Sequence, residues 1–407
     1  MKLLIVADVY MPSTLSAAIE LRDLATEMVA QGHDVTVLAP MVGGLRPFAV
    51  EQDEHVRIVR VRAPRTKDVN LIRRALAEIC LPFALLRGMR LSGLKGEHWD
   101  GVVWYSPTIF LGLVARCVKR WNQCRGYLIV RDLFPDWAVD AGVMRKGFAY
   151  RFFKAVERFQ YRVADVIGVQ TPANVALVAR DAPSSAEIEV LYNWMRMAEV
   201  VKPESGKFDL GNLEGRTLFV YAGNMGKAQD MDAFLELAAR LRSRLDLGFL
   251  FVGRGSEVSR LQQKAGKREL TNVRFMSEID SALIPALFEQ CHVGIVALDP
   301  RHKTHNIPGK FMAYARNGLP VLARINPGND LAHVIRDNNV GYGVEGDSIT
   351  DLQIAAERLA DHAAARIEMG KAGRKLADRL FSPAAAAKQV VRALARADSK
   401  PISAGDD

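Results

Sequence analysis

Short apolar runs and stretches of helical periodicity take turns along this chain, and they do so in two separate series. "LLIVA" (3–7) reads as a buried strand, "AAIELRDLATEMVAQG" (17–32) as an amphipathic helix closed by Gly32, and "DVTVLAP" (34–40) as the next strand. Further strands are expected at "VRIVRV" (56–61), "GVVWYS" (101–106), "YLIVRD" (127–132), "DVIGVQ" (165–170) and "EIEVLYN" (187–193). At "MRMAEVVKPESGKFDLGNLEG" (195–215) Pro, Gly and charge break the rhythm, which predicts an interdomain linker. The alternation restarts with "TLFVYAG" (217–223), "LGFLFVG" (247–253), "NVRFMS" (272–277), "HVGIVAL" (292–298), "LPVLA" (319–323) and "VGYGVE" (340–345). Strands alternating with helices predict parallel sheets built from βαβ units. The expected class is therefore α/β, with two doubly wound, Rossmann-like domains at 1–195 and 196–379. A single joint leaves a cleft between the carboxyl ends of the two sheets, which is where such sheets bind ligands.

Charge narrows the partners. The chain of 407 residues carries a net charge of +9, yet the stretch from Arg65 to Arg162 alone holds 18 Lys and Arg against 8 Asp and Glu. The basic excess thus sits in the first domain, and the second is close to neutral. An anionic partner is expected for the first: nucleic acid, a phosphate-rich ligand or an anionic membrane. The start "MKLLIVADVY" is too short for a secretory leader, and no uninterrupted apolar stretch reaches the length of a transmembrane helix. Cys80, Cys117, Cys124 and Cys291 show no metal-ligand spacing, so reduced thiols in a cytoplasmic protein are expected.

Three glycine-rich corners follow strands of the second domain. "YAGNMGKAQDMD" places Gly223, Asn224, Gly226 and Lys227 between a strand and a helix start near Asp230. "FVGRGSEVSRL" sets Arg254 between Gly253 and Gly255; it lacks the third glycine of a dinucleotide fingerprint. "HNIPGKFMAYARNG" places Asn306, Pro308, Gly309 and Lys310 at the mouth of a helix. Small residues let a phosphate approach the backbone, and a helix N-terminus favours negative charge. Each corner alone is also consistent with an ordinary βα turn. Three converging on one sheet point to a phosphorylated ligand, and they argue against a nucleic-acid or polyanion binder because they lie on the near-neutral domain. Asp230 and Asp232 of "DMD" fit a helix N-cap better than a metal site. In the first domain, "YLIVRDLFPDWAVDAGVM" places Arg131, Asp132 and Asp136 just past a strand, where a carboxylate serves as acid/base, orients a hydroxyl, or forms a salt bridge.

These residues resemble the retaining GT-B glycosyltransferases of family four. "MPSTLSAAIELRDLATEMVAQGHDVTVLAP" is similar to their N-terminal unit, which brings in Ser13 and Ser16 as acceptor or cleft residues with Arg131 and Asp136. "GNMGKAQDMD" and "IPGKFMAYARNGLPVLA" are similar to their donor-domain motifs. "YSPTIFLGLVARCVKRW", "YLIVRDLFPDWAVDAGVM", "VIGVQTPANV", "VLYNW" and "ARINPGNDL" resemble O-antigen enzymes that move N-acetyl-L-fucosamine from UDP to a lipid-linked acceptor. The resemblance implies a UDP-sugar donor on the second domain, a polyprenyl-diphosphate-linked acceptor on the first, no metal or other cofactor, and a last helix (382–396) crossing back to the first domain. It also marks departures. His305 and Ala313 stand where many members carry two glutamates. Asn224 and Gln229 replace two diphosphate-binding cations, which leaves Lys227 and Lys310 as the nearby substitutes. The usual catalytic-site histidine falls at Arg131, next to Asp132. Rivals inside the same architecture are another UDP-amino or deoxysugar donor, and a UDP-sugar 2-epimerase.

Arginines decide one last expectation. "NLIRRALAEICLPFALLRGMRLSG" (70–93) is apolar but holds Arg73, Arg74, Arg87, Arg90 and Pro82, which suits a segment lying in a membrane interface rather than spanning it. "RKGFAYRFFKAVERFQYR" (145–162) interleaves basic and aromatic residues in the same manner. The protein is expected on the cytoplasmic face of the plasma membrane, peripherally bound through anionic lipid, with a pair of core helices bearing solvated arginines as the alternative.

Overall fold

The computed structural model describes the chain except residues 42, 44–45, 67–68, 107, 141, 197–200, 205, 302–306 and 397–407, and the side chains of 71 and 72. The chain divides into two compact units, Met1–Tyr192 with Pro383–Asp407, and Asn193–Ser382.

The first unit is built on eight strands: β1 (Lys2–Val6), β2 (Asp34–Met41), β3 (Phe48–Asp53), β4 (Val56–Arg62), β5 (Gly101–Ser106), β6 (Arg125–Val130), β7 (Val166–Val169) and β8 (Glu187–Val190). They lie in the order β3-β4-β2-β1-β5-β6-β7-β8. All pairs are parallel except β3 with β4. The runs that read as buried strands are so: β5 is buried along its whole length, as a sheet covered by helices on both faces requires. Strand β3 was not among the expected strands. Its sequence, "FAVEQD", turns from apolar to polar half-way and has no fully buried residue, and it closes the edge of the sheet antiparallel to β4.

The last helix, Pro383–Ala395, belongs to this unit. It packs on the helix Ser16–Ala30, Leu394 comes over Gly101, and Gln389 Nε2 donates to the Val190 carbonyl at 2.9 Å. The helix Leu71–Leu91 buries Leu81, Leu85 and Met89 in the core and turns Arg73, Leu76, Phe83, Arg87 and Arg90 outward, with Phe83 60% exposed. Near the start of the helix Phe148–Val163 a second outward group forms, with Phe148 89% exposed beside Phe152, Arg145, Lys146 and Arg151, and Trp137 and Val143 also exposed. Among the described residues no helix is long and apolar enough to cross a membrane.

The second unit holds β9 (Thr217–Ala222), β10 (Leu247–Val252), β11 (Val273–Met276), β12 (Val293–Ala297), β13 (Val321–Ile325) and β14 (Gly341–Glu345). They form an all-parallel sheet in the order β11-β10-β9-β12-β13-β14. Two expectations shift. The stretch read as a linker ends earlier than 215, because Leu210 and Leu213 are buried in this unit. Strand β13 starts two residues later than "LPVLA" because Pro320 has no N–H for the ladder, and the shift brings Arg324 inside the strand.

Candidate functional site

The three corners lie at the carboxyl ends of β9, β10 and β12, which are neighbours in the sheet. From β9 the chain moves one way to β10, while β12 lies on the other side. The order therefore reverses between β9 and β12, and open α/β sheets bind ligands at such a switch point.

Two of the corners are joined through their backbones. Gly223 N donates to the Val252 carbonyl at 2.8 Å, and Met225 N to the Arg254 carbonyl at 2.7 Å. The fit leaves no room for side chains. Gly253 has φ +140°, and a Cβ there would lie 2.1 Å from the Gly223 carbonyl oxygen. Gly253→Ala is therefore expected to destabilise the second unit by on the order of 3 kcal/mol, read as a lower denaturation midpoint.

Lys310 completes the third corner. It stands in the first turn of the helix Gly309–Asn317, whose leading N–H groups have no partner within the helix. Its Nζ sits 5.1 Å from the centre of the Tyr221 ring, and its side chain lies over Gly223 so closely that a Cβ there would come within 2.6 Å of Cε. Burial lowers the pKa of this ammonium below the ordinary lysine value. Among the described residues it meets no carboxylate. A half-buried cation beside a helix N-terminus and a glycine backbone has the charge and the donors that a compact polyanion such as a diphosphate would need.

The other donor-side candidates play smaller parts. Asn224 and Gln229 bring no charge; Gln229 Oε1 accepts from Gly226 N at 2.9 Å and from Asn224 Nδ2 at 3.4 Å, so the pair holds the corner in shape. Lys227 is exposed. Arg254 is exposed and pairs with Glu278 at 3.4 Å. Pro308 and Gly309 cap and open the Lys310 helix. Asn306 and His305 lie outside the described residues.

The "DMD" carboxylates do not cap the next helix. It begins at Asp232, with Met231 as N-cap and no side-chain cap bond. Asp230 has φ +42° and accepts from Arg324 Nη1 at 2.8 Å, while Asp232 pairs with Arg260 and Lys264. The Arg260 guanidinium, together with Lys264, holds the Asp232 carboxyl down at about 2. Both carboxylates are thus neutralised by cations from distant strands and helices, which displaces the capping reading.

In the first unit the candidates follow β1 and β6, and β1, β5 and β6 are neighbours. Ser13 is partly buried in the loop after β1, with its Oγ 3.4 Å from Leu15 N, and Ser16 opens the helix Ser16–Ala30 from an exposed position. Arg131, read as a cleft residue, is buried. Its Nη1 donates to the Leu191 carbonyl at 2.8 Å and its Nε lies 3.4 Å from Glu20. Tyr105 OH donates to the same Glu20 carboxylate at 3.0 Å. Arg131 is thus a clamp between β6, β8 and the first helix, and it fixes the backbone of the exposed Asp132 beside it. Glu20 escaped the sequence reading, because both its partners come from other strands and no local pattern marks it. Asp136 is an ion-pair residue: it accepts from Tyr150 OH at 2.7 Å and from Lys154 Nζ at 2.6 Å. Glu157 and Asp181 surround the same ammonium, so this carboxylate cluster is compensated by Lys154.

Two parallel doubly wound units with a phosphate-type corner cluster in the second define a GT-B architecture. Comparison with known proteins agrees. Residues 17–194 match the glycosyl transferase 4-like domain and residues 204–376 match the glycosyl transferases group 1. The chain belongs to the group 1 glycosyltransferases and is an enzyme of that class. It is 24% identical over 331 residues to a probable glycosyltransferase, WbjE, of Pseudomonas aeruginosa, covering 80% of each chain. It is 24% identical over 317 residues to WcaI of Escherichia coli K12, named for colanic acid biosynthesis, covering 72% of this chain and 76% of the relative. In fold it is similar to WaaG, a glycosyltransferase involved in lipopolysaccharide biosynthesis (TM-score 0.57, 16% identity, 97% and 100% covered). It is also similar to Anabaena HepE in complex with UDP (TM-score 0.60, 12% identity, 97% and 99% covered).

Proposed function

We propose that this enzyme transfers a sugar from a UDP donor to a polyprenyl-diphosphate-linked saccharide in O-antigen or capsule synthesis, and that the sugar is N-acetyl-L-fucosamine. The observation that carries the donor half is Lys310: a half-buried ammonium at the switch point, beside a helix mouth, that meets no carboxylate among the described residues. In such a site the second unit binds the nucleotide sugar, and Lys310 with the helix N–H groups stabilises the charge that develops on the departing diphosphate. Asp132, next to the clamped Arg131, is the carboxylate of the first unit to which we assign a part in turnover. Turnover is expected to need no metal ion, as the family resemblance implies. The relative WcaI, named for colanic acid biosynthesis, supports a polysaccharide-building acceptor class.

The test is incubation with a panel of UDP- and GDP-sugars and a prenyl-diphosphate N-acetylglucosamine analogue, followed by mass spectrometry. The expected product is the acceptor extended by one N-acetyl-fucosamine, with stoichiometric UDP and undiminished turnover in EDTA. Conversion of the UDP-sugar without acceptor, with little UDP released, identifies an epimerase instead.

We further propose that the first unit docks on anionic membrane. The outward faces of Leu71–Leu91 and Phe148–Val163 support this, because exposed Phe and Leu between arginines match an interfacial surface. Juxtamembrane cations contribute about 1 kcal/mol each. Wild type is expected to sediment with anionic vesicles at low salt, and a folded variant with Arg73, Arg74, Arg87 and Arg90 changed to Glu is expected to stay in the supernatant. Equal binding by both refutes the docking.

A further inference from the structure

A hollow of about 600 Å³ opens in the first unit where the end of β4 meets the helix Leu71–Leu91. Its making is legible in one residue. A Cβ at Gly88 would fall 2.2 Å from Val61 Cγ2, so only glycine lets the helix lie this close to the strand end. The strand end is itself anchored: Arg62 N donates to the Pro47 carbonyl at 3.0 Å, and Ala63 N to the Met41 carbonyl at 3.3 Å. The hollow is therefore preformed.

Its lining has two characters. Val61, Ala63 and Ala84 provide an apolar floor, while Arg62, Arg65 and Arg87 stand around it in exposed positions. Among the described residues no carboxylate lines it, and none there pairs with the three arginines. Helix-end charge complementarity does not account for Arg62 or Arg65, since the first ends a strand and the second lies in a loop. Three planar donors over an apolar floor match one ligand chemistry: a diphosphate that carries an aliphatic chain. The opening also adjoins the outward stripe of the same helix, because Arg87 and Leu91 belong to the rim while Phe83 and Arg90 face solvent next to them. A chain leaving the hollow along that stripe passes over exposed apolar side chains.

We infer that this hollow seats the diphosphate and the first isoprene units of the prenyl-linked acceptor, an assignment that rests on the acceptor class proposed above. It gives recognition of the lipid-diphosphate end to Arg62, Arg65 and Arg87.

The test is calorimetric titration of the full chain with farnesyl diphosphate, kept below its micelle concentration, and with inorganic pyrophosphate. Wild type is expected to prefer farnesyl diphosphate. Arg62→Gln with Arg65→Gln and Arg87→Gln is expected to weaken that binding on the order of tenfold or more, and to raise KM for a prenyl-diphosphate saccharide by a similar factor. Ala84→Phe keeps the arginines but fills the floor; it is expected to reduce farnesyl diphosphate to the affinity of pyrophosphate. Unchanged UDP affinity in each variant reports an intact second unit, and unchanged circular dichroism an intact first one. Farnesyl diphosphate binding that is no tighter than pyrophosphate in wild type, or equal in wild type and the folded triple variant, overturns the assignment. Turnover separates the two readings. A wild type that uses the prenyl-diphosphate saccharide while the triple variant matches its KM sinks the hollow and leaves the acceptor class standing. A wild type that binds farnesyl diphosphate through these arginines yet extends no prenyl-diphosphate saccharide sinks the acceptor class and leaves a prenyl-diphosphate site.

Discussion

Replacing Lys310 by Ala is expected to weaken UDP binding by about 10- to 100-fold, the value of a charge-assisted hydrogen bond of roughly 1.5–3 kcal/mol. The loss falls on the nucleotide because the ammonium stands alone: no carboxylate among the described residues competes for it, and its neighbours are the Tyr221 ring and the Gly223 backbone. Calorimetry with UDP measures it directly. The same residue sets a pH dependence whose sign follows from its burial. Desolvation disfavours the charged form, so the pKa of the free enzyme's Lys310 lies below the ordinary lysine value. Anion binding needs that charge. Affinity is therefore full below this pKa and falls as pH rises through it, earlier on the alkaline side than an exposed lysine would allow. Lys310→Met is expected to abolish that alkaline limb. UDP affinity that is unchanged in the mutants and flat with alkaline pH assigns the diphosphate elsewhere. Lys227, exposed at the neighbouring corner, is expected to matter less, since solvent screens its charge.

The second large effect is expected in turnover. Asp132→Asn keeps size and hydrogen bonding but removes the carboxylate, and kcat is expected to drop by about 100-fold, within the usual contribution of a positioned acid–base or charge-stabilising group. UDP affinity should not move, because Asp132 belongs to the first unit and the corners proposed to hold the nucleotide belong to the second. A steady-state measurement that separates kcat from UDP affinity decides it, and near wild-type kcat returns Asp132 to a structural role. Glu20→Gln gives a useful contrast. It loosens the Arg131 clamp from behind, so it is a positioning change whose effect on kcat should be smaller and accompanied by lower stability.

Local order was readable in the sequence for a physical reason: strand and helix periodicity record which face of each segment is buried, and that record is written within a few residues. Thirteen expected strands have counterparts in β1, β2 and β4 to β14. The same locality made the corners of "YAGNMGK", "FVGRG" and "IPGK" visible, since glycine at a strand end and lysine at a helix mouth are neighbours in the chain. The edge strand β3 was not readable, because its "FAVEQD" turns from apolar to polar half-way and has no fully buried residue to mark it.

What the tertiary structure alone decided is every relation between residues far apart in the chain. Asp230 and Asp232 read as helix caps, yet the strand order brings Arg324 to one and the adjoining helix brings Arg260 and Lys264 to the other. Arg131 and Asp132 are sequence neighbours of equal standing on paper. Only the fold buries the first against Glu20 and the Leu191 carbonyl and keeps the second exposed. Asp136 stood beside them as a cleft candidate until the helix Phe148–Val163 delivered Lys154 to it. The Arg62, Arg65 and Arg87 hollow likewise exists only because Gly88 lets a helix close on Val61. Burial of a segment is a property of its own pattern, whereas the partner of a charge depends on which strands lie side by side, and strand order is not encoded in any one segment.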